Sequence, residues 1–275
     1  MSRIEDALEK AAKMREQQTV VEKLPEVEDR QKQEIVQTTR TVTPIDNPYL
    51  VAFRQPHSPA AEEYKKLKSS IIRMKKQDPN RNVILVTSAV GGEGKSLTAT
   101  NLALSLSQDY DHTVLLIDAD LRKPTIHTLL QVTPESGLSD CVVEERDIAS
   151  SLMSVGNANL TFLSSGTRGE DPVELVSSQR MQKVILEIKY RYPDRFIIID
   201  TPPVLLFAET KMMSSLADGI VFVIREGRAP RQHVQDALDA LKGENILGIV
   251  YNGAEPNVLK GHSSYHSYYR DYSKL

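Results

Sequence analysis

Cysteine is almost absent from this chain: of 275 residues, only Cys141 carries a thiol. One thiol excludes an internal disulfide and fits a reducing compartment. Cys141 itself reads as a small buried hydrophobe rather than a nucleophile. An excess of one charge is lacking too. The formal net charge is −3, with 34 Lys and Arg against 37 Asp and Glu, so no nucleic-acid partner is expected. No apolar run approaches the ~20 residues of a membrane span. The opening residues, Met1 to Asp6, lack the apolar core of a signal peptide. A cytoplasmic location is expected, with any membrane association made through a partner. No internal repeat is visible. The hydrophobic share, 40 %, is enough for one large α/β core with appendages.

What is present centres on Ser88-Ala89-Val90-Gly91-Gly92-Glu93-Gly94-Lys95-Ser96. The apolar run Val83–Val86 precedes it and an Ala/Leu-rich stretch, Leu97 to Leu106, follows it. Strand, glycine loop and helix in that order are the setting of a phosphate-binding P-loop. The glycines let backbone N–H groups turn inward without a Cβ clash. Residues 91–97, that is Gly91, Gly92, Glu93, Gly94, Lys95, Ser96 and Leu97, are the expected nucleotide-binding segment. Lys95 can reach the β- and γ-phosphates, and Ser96 can hold Mg²⁺. The first glycine of the strict pattern is replaced by Ala89.

Along the chain, residues 3–16 suggest a short amphipathic helix, with Ile4, Leu8, Ala11 and Ala12 on one face. Residues 17–57 are polar and carry four prolines, and are read as an extended linker. Ser58-Pro59 signals a helix start. That helix is expected to reach Lys75, with Tyr64, Leu67, Ile71 and Met74 as its apolar stripe. Glu62, Lys65 and Lys68 lie along another face, where a solvated row of ion pairs is the plain reading. Strands are expected at 83–87, 113–117, 160–164, 195–199, 219–224 and 246–251. Helices are expected near 95–108, 173–191, 208–217 and 231–242. All the strands but 160–164 are Val, Ile, Leu and Phe without polar alternation, as in a parallel sheet covered on both faces. The fold expected is a P-loop-type, doubly wound α/β domain over 58–252. Residues 1–57 would precede it, and 253–275 would form a mobile tail bearing Tyr265, Tyr268, Tyr269 and Tyr272.

Two strands end in acids: Ile117-Asp118-Ala119-Asp120-Leu121-Arg122 and Ile199-Asp200-Thr201-Pro202-Pro203. Ligands of parallel α/β sheets sit at the carboxyl ends of strands, so Lys95, Asp118, Asp120 and Asp200 are expected on one rim. Asp200 fits a metal-holding acid, with Ser96 and Asp120 near it. Asp118 and Asp120, two apart, point to the same side if extended geometry continues. One can serve the metal and the other an incoming nucleophile. A tyrosine hydroxyl, with a pKa near ~10, benefits from such a base. Asp118 is the first choice for it. Arg122 and Lys123 could bind phosphate or a tyrosine-bearing segment; otherwise they form a solvated charge pair. Asn252, at the end of the last strand, is a candidate for the adenine.

These residues resemble the bacterial tyrosine kinases of polysaccharide export. The resemblance covers about 48–275. It rests on the loop 88–96, on Leu115 to Pro124, on Ile198 to Pro203 and on the tyrosine cluster. The leader Ser2–Lys10 is similar to that of stand-alone, exosortase-associated tyrosine autokinases. The resemblance implies ATP- and Mg²⁺-dependent autophosphorylation of the tail in trans, within a ring-shaped homo-oligomer. It also implies a transmembrane chain-length regulator as activator, a location at the inner face of the membrane, and a counteracting tyrosine phosphatase. The family's ring motif, E-x-x-R-x-x-R, falls on Glu62, Lys65 and Lys68, where both arginines are lysines without the bidentate fork. A partition or positioning ATPase is the competing reading. It calls for a signature lysine where Val90 stands. A nucleotide-binding scaffold is the third.

Overall fold

A computed structural model describes residues 45–156, 159–167, 169–191 and 194–254. The helix expected at 3–16 and the tail tyrosines lie outside these residues. Described elements begin with α1 (Val51–Arg54) and α2 (Pro59–Gln77), then β1 (Val83–Ser88), α3 (Lys95–Ser107) and β2 (Thr113–Asp118). Short helices α4 (Ile126–Leu130), α5 (Leu138–Val143) and α6 (Ile148–Ser151) lead to β3 (Met153–Ser154) and β4 (Leu160–Leu163). The chain continues through α7 (Pro172–Ser177), α8 (Gln179–Arg191), β5 (Arg195–Asp200), α9 (Ala208–Ser214), β6 (Gly219–Arg225), α10 (Arg231–Ala240) and β7 (Ile246–Asn252).

The seven strands form one sheet in the order β3-β4-β2-β5-β1-β6-β7. All pairs are parallel except β3 with β4. This is the doubly wound, P-loop-type architecture expected. Alternate residues of each central strand feed opposite faces. Val83 and Leu85 join a core covered by α5 and α7–α10, while Ile84 and Val86 join one covered by α1–α4. The register sets Asp118 of β2 directly beside Asp200 of β5.

Three expectations are corrected. Residues 45–57 are not an extended linker. Ile45, Leu50 and Ala52 are buried in the α3 face of the core. Asn101 of α3 holds them, accepting from Ala52 N at 3.0 Å and donating to the Tyr49 carbonyl at 3.0 Å. A run poor in hydrophobics still folds here because one buried amide satisfies its backbone. Secondly, the helix expected over 173–191 is two helices. Ser178 is extended, and its Oγ accepts from Met181 N at 3.1 Å, capping α8. Thirdly, β7 is not covered on both faces. It is an edge strand, and Ile249 and Tyr251 are each 53 % exposed.

Helix α2 starts where expected: Ser58 Oγ accepts from Ala61 N at 3.2 Å and Pro59 opens the first turn. A half-buried face beside its apolar stripe bears the three positions of the ring motif. Lys65 Nζ pairs with Glu62 at 2.6 Å, and Lys68 Nζ reaches Asp109 at 3.7 Å. Such partly exposed pairs contribute about 0–1 kcal/mol, so losing them leaves the fold intact. If this face meets a neighbour, Lys65→Ala with Lys68→Ala should lower the mass seen by light scattering and make activity depend more on protein concentration. An unchanged mass would assign the pairs to a solvated face.

Candidate active site

The loop after β1 is held from outside. Glu93 is fully buried, and its Oε2 accepts from Val90 N at 2.8 Å. The Gly91 carbonyl accepts from Arg228 Nε at 3.0 Å, and that of Gly92 from Arg225 Nη1 at 3.4 Å. The Glu93 carbonyl accepts from Asn252 Nδ2 at 2.9 Å. A trans peptide points its N–H opposite to its C=O. The N–H groups of Gly92, Glu93 and Gly94 are therefore directed away from this outer brace. Gly94 has φ +92°, and a Cβ there would sit 2.0 Å from the Asn252 amide nitrogen. Ala89 is accommodated at the variant position because it is buried in the core and has no positive φ.

Lys95, 8 % exposed, lies among the acids. Its Nζ is 2.7 Å from Asp120 Oδ2, 3.6 Å from Asp200 Oδ2 and 3.2 Å from Ser96 Oγ. Burial works to lower its pKa, but the charges of Asp200 and Asp120 outweigh it and hold the ammonium above its usual value. Asp200 is fully buried, and neither oxygen has a hydrogen-bond partner among the described residues. Burial pushes its pKa up to about 6 against the pull of Lys95. Asp118 is also fully buried and is pushed up to about 8, first by burial and then by the Asp200 charge.

The rim brings Lys95, Ser96, Asp118, Asp120 and Asp200 together, but Asp118, which ends β2, and Asp120, two residues on, do not point the same way. The strand stops at Asp118. Asp118 Oδ2 accepts from Thr125 N at 3.0 Å and Ile126 N at 3.1 Å, at the start of α4. Its Oδ1 accepts from Asp120 N at 3.3 Å. Asp120 turns instead to Lys95, with Oδ1 accepting from Lys123 N at 3.0 Å. Extended geometry ends because these backbone N–H groups need acceptors. Arg122 is not one of a solvated pair: its Nε donates to Glu209 at 2.7 Å. Lys123 is exposed. Asn252 is on the loop brace. Sequence reasoning missed Glu209, Phe207, Arg225 and Arg228. The arginines sit at and just beyond the end of β6, so the strand-end rule that found the acids would have reached them.

The donor set fits a hard, oxygen-seeking divalent cation. Asp200 supplies a buried carboxylate that accepts no hydrogen bond from the described residues and has only the Lys95 ammonium near, 3.6 Å from Oδ2, and Ser96 supplies a hydroxyl that acts on the same carboxylate. Among the described residues, no three His, Cys, Asp or Glu side chains form a metal cage. A cation shared with a polyphosphate needs only one or two carboxylates.

A family model described as ParA, "NUBPL iron-transfer P-loop NTPase", matches residues 80–272. The tyrosine-protein kinase YwqD of Bacillus subtilis is 34 % identical over 221 residues, 80 % of this chain and 90 % of that one. The succinoglycan biosynthesis transport protein ExoP of Rhizobium meliloti is 29 % identical over 76 % of this chain, which spans only 27 % of ExoP. Among solved structures, the chimerical protein CapA2B2 aligns with TM-score 0.68 and 27 % identity, over 78 % of this chain and 95 % of its own. The kinase domain of the Escherichia coli tyrosine kinase ETK aligns with TM-score 0.67 and 26 % identity, over 75 % and 82 %. The septum site-determining protein MinD of Pyrococcus horikoshii, at TM-score 0.54 and 21 % identity over 66 % of this chain and 76 % of its own, shares the fold alone.

Proposed function

The chain belongs to the bacterial tyrosine kinases, within the ParA-like P-loop NTPases, and from that premise we propose that it transfers the γ-phosphoryl group of ATP to tyrosine. The acceptors are Tyr265, Tyr268, Tyr269 and Tyr272 of a neighbouring copy in a ring-like homo-oligomer. The observation that carries this reading is the buried Lys95 held between Asp120 and Asp200, beside an acid whose pKa lies near 8. The phenolic oxygen forms its bond to the γ-phosphorus as the bond to the β,γ-bridging oxygen breaks, and ADP leaves. The phenolic proton passes to Asp118, whose raised pKa suits a base working near neutrality.

Lys95 neutralises charge on the transferring group. Nucleotide phosphates compete with Asp120 for the Lys95 ammonium, which frees Asp120 for the metal shell. Ser96, Asp120 and Asp200 would hold Mg²⁺, which supplies charge neutralisation at the phosphates. Gly91 to Leu97 surround the phosphates.

A relative named for succinoglycan biosynthesis transport supports a role in controlling exopolysaccharide or capsule chain length and export. No described helix is long and apolar enough to cross a membrane. A transmembrane chain-length regulator as activator at the inner membrane face, and a tyrosine phosphatase as counterpart, complete the proposal. The catalytic domain is taken as 58–252, with residues from 45 packed onto it and 253–275 as the tail.

From Asn252 to Tyr265 is thirteen residues, at most about 45 Å of extended chain, enough to enter a neighbour's site. The test is transfer of γ-³²P by the full chain with all four tail tyrosines changed to Phe. That protein should lose most of its phosphotyrosine and still bind ADP with Mg²⁺. The alternative acceptors among the described residues are set by exposure: Tyr110 is 98 %, Tyr49 69 %, Tyr190 68 % and Tyr251 53 % exposed, while Tyr64 packs on the core. Phosphotyrosine persisting mainly at these would remove the tail from the reaction.

A further inference from the structure

One constellation beside the acids has no part in the chemistry above. Arg122 lies two residues beyond Asp120. Its Nε donates to Glu209 Oε1 at 2.7 Å, and its guanidinium carbon lies 4.6 Å from the centre of the Phe207 ring. Glu209 is 1 % exposed, and its Oε2 is buried without a hydrogen-bond partner among the described residues. The Arg122 side chain is 36 % exposed.

A surface arginine needs no such support, because exposed ion pairs contribute about 0–1 kcal/mol. Burying a carboxylate with one oxygen unpaired is costly. The fold accepts that cost to hold one arginine in one place. Nε and one face of the guanidinium are taken. Among the described residues, neither Nη of Arg122 has a partner.

The place is informative. Asp118 and Asp200 sit side by side on β2 and β5, and Arg122 and Phe207 follow these strands by four and seven residues. They therefore belong to the segments that continue the β2–β5 side of the rim, as the glycine loop continues β1, the expected place of the nucleotide phosphates. Leu206, next to Phe207, is 59 % exposed, so this side offers apolar surface beside unspent guanidinium donors. A flat apolar ring with an oxygen at its far end matches that surface. A guanidinium near a phenol also favours its anion, the form that attacks. After transfer, the same planar fork fits the phosphate oxygens. A serine hydroxyl, without a ring, gains nothing from Phe207 or Leu206.

We propose that Arg122 and Phe207 are the acceptor-recognition residues, which receive the side chain of the incoming tyrosine, with Glu209 as the positioning residue for Arg122. This rests on the tyrosine kinase reading.

The test uses two full-length proteins. The enzyme carries Phe at the four tail positions; the acceptor carries Lys95→Met and an intact tail. Arg122→Ala in the enzyme should raise the acceptor KM about tenfold and leave the ATP KM within about twofold. Phe207→Leu should raise the acceptor KM less. Arg122→Lys keeps charge without the fork, so it should recover only part of the loss. Glu209→Gln should act in the same direction as Arg122→Ala, with the ATP KM unmoved. Anisotropy of labelled acceptor with the enzyme and Mg-ADP gives a readout without catalysis, and Arg122→Ala should weaken it by a similar factor. A rise in ATP KM equal to that for acceptor, or a fall in kcat alone, would overturn the proposal and move Arg122 to the nucleotide. Unchanged acceptor KM and binding would reduce the constellation to a structural pair. If the parent enzyme binds acceptor but transfers nothing, the kinase reading fails on its own. Acceptor binding that ignores Arg122 fails the recognition proposal alone.

Discussion

Lys95→Met is expected to lower tyrosine phosphorylation by more than about 10²-fold, the usual effect of removing a preorganised charge from a transferring group. The substituted chain should stay folded, but not with unchanged stability. In the native site this lysine is the cation between Asp120 at 2.7 Å and Asp200 at 3.6 Å, and its charge also restrains the pKa of Asp118. Breaking a buried pair costs about 3–5 kcal/mol when the remaining charge cannot be neutralised. Here the acids can take up protons. Their folded pKa values, already raised by burial, should rise further without Lys95. A raised folded pKa means stability present at low pH and lost as pH climbs through that value. The variant should therefore melt well below the parent at pH 8 and closer to it at pH 5, in protein kept free of divalent metal. Phosphotyrosine from purified protein and paired melting curves check both halves. Full activity would remove Lys95 from the chemistry. An equal melting deficit at both pH values would mean that the lysine acts through packing rather than charge.

The ease with which this region could be read from sequence follows from its physics. Strand, glycine loop and helix, and the acid-ended strands, are local patterns: apolar runs specify β1, β2 and β5, and the parallel sheet then puts their ends on one rim. What stayed hidden depends on distant partners. Nothing near Asn101 says that it will satisfy Tyr49 and Ala52, so residues 45–57 look like a linker. Nothing near Arg122 announces Glu209, which is 87 residues away in sequence. The exposure of β7 is hidden from the sequence for a related reason. Its composition matches that of the buried strands, but its place at the sheet edge is a property of topology. The direction of Asp118 was missed because a side chain's aim at a strand end is set by the loop that follows. Here that loop brings the N–H groups of Thr125 and Ile126 onto it.

That same placement of Asp118 yields the second large effect, in which activity and stability should move in opposite directions. Asp118→Asn is expected to lower phosphotransfer by about 10²–10⁴-fold, the contribution of a positioned base. In metal-free protein at pH 8 it should raise the melting temperature. The sign follows from linkage. Asp118 has a folded pKa of about 8 against an ordinary value of 3.8, so between these pH values the folded chain binds its proton more tightly than the unfolded chain does. Stability from this group is fully present below its ordinary value, declines as pH rises, and is gone above about pH 8. Asp200, pushed to about 6, adds a decline over a lower range. Asparagine carries no charge at any of these pH values, and its Oδ1 can still accept from Thr125 and Ile126 at the start of α4, while its Nδ2 cannot replace the oxygen that accepts from Asp120 N at 3.3 Å, a loss that offsets part of the gain. The substituted protein should show a flatter stability curve between pH 6 and pH 8. Its gain at pH 8 should be on the order of 1–2 kcal/mol, read as about 3–6 °C in a domain of this size. ATP affinity with Mg²⁺ should stay within about threefold, because a base acts at the chemical step. Loss of Mg-ATP binding in proportion to activity would move Asp118 into the metal shell. A melting temperature lowered equally at pH 6 and pH 8 would show that its carboxylate serves mainly as the cap of α4, and the base would then be sought at Asp120.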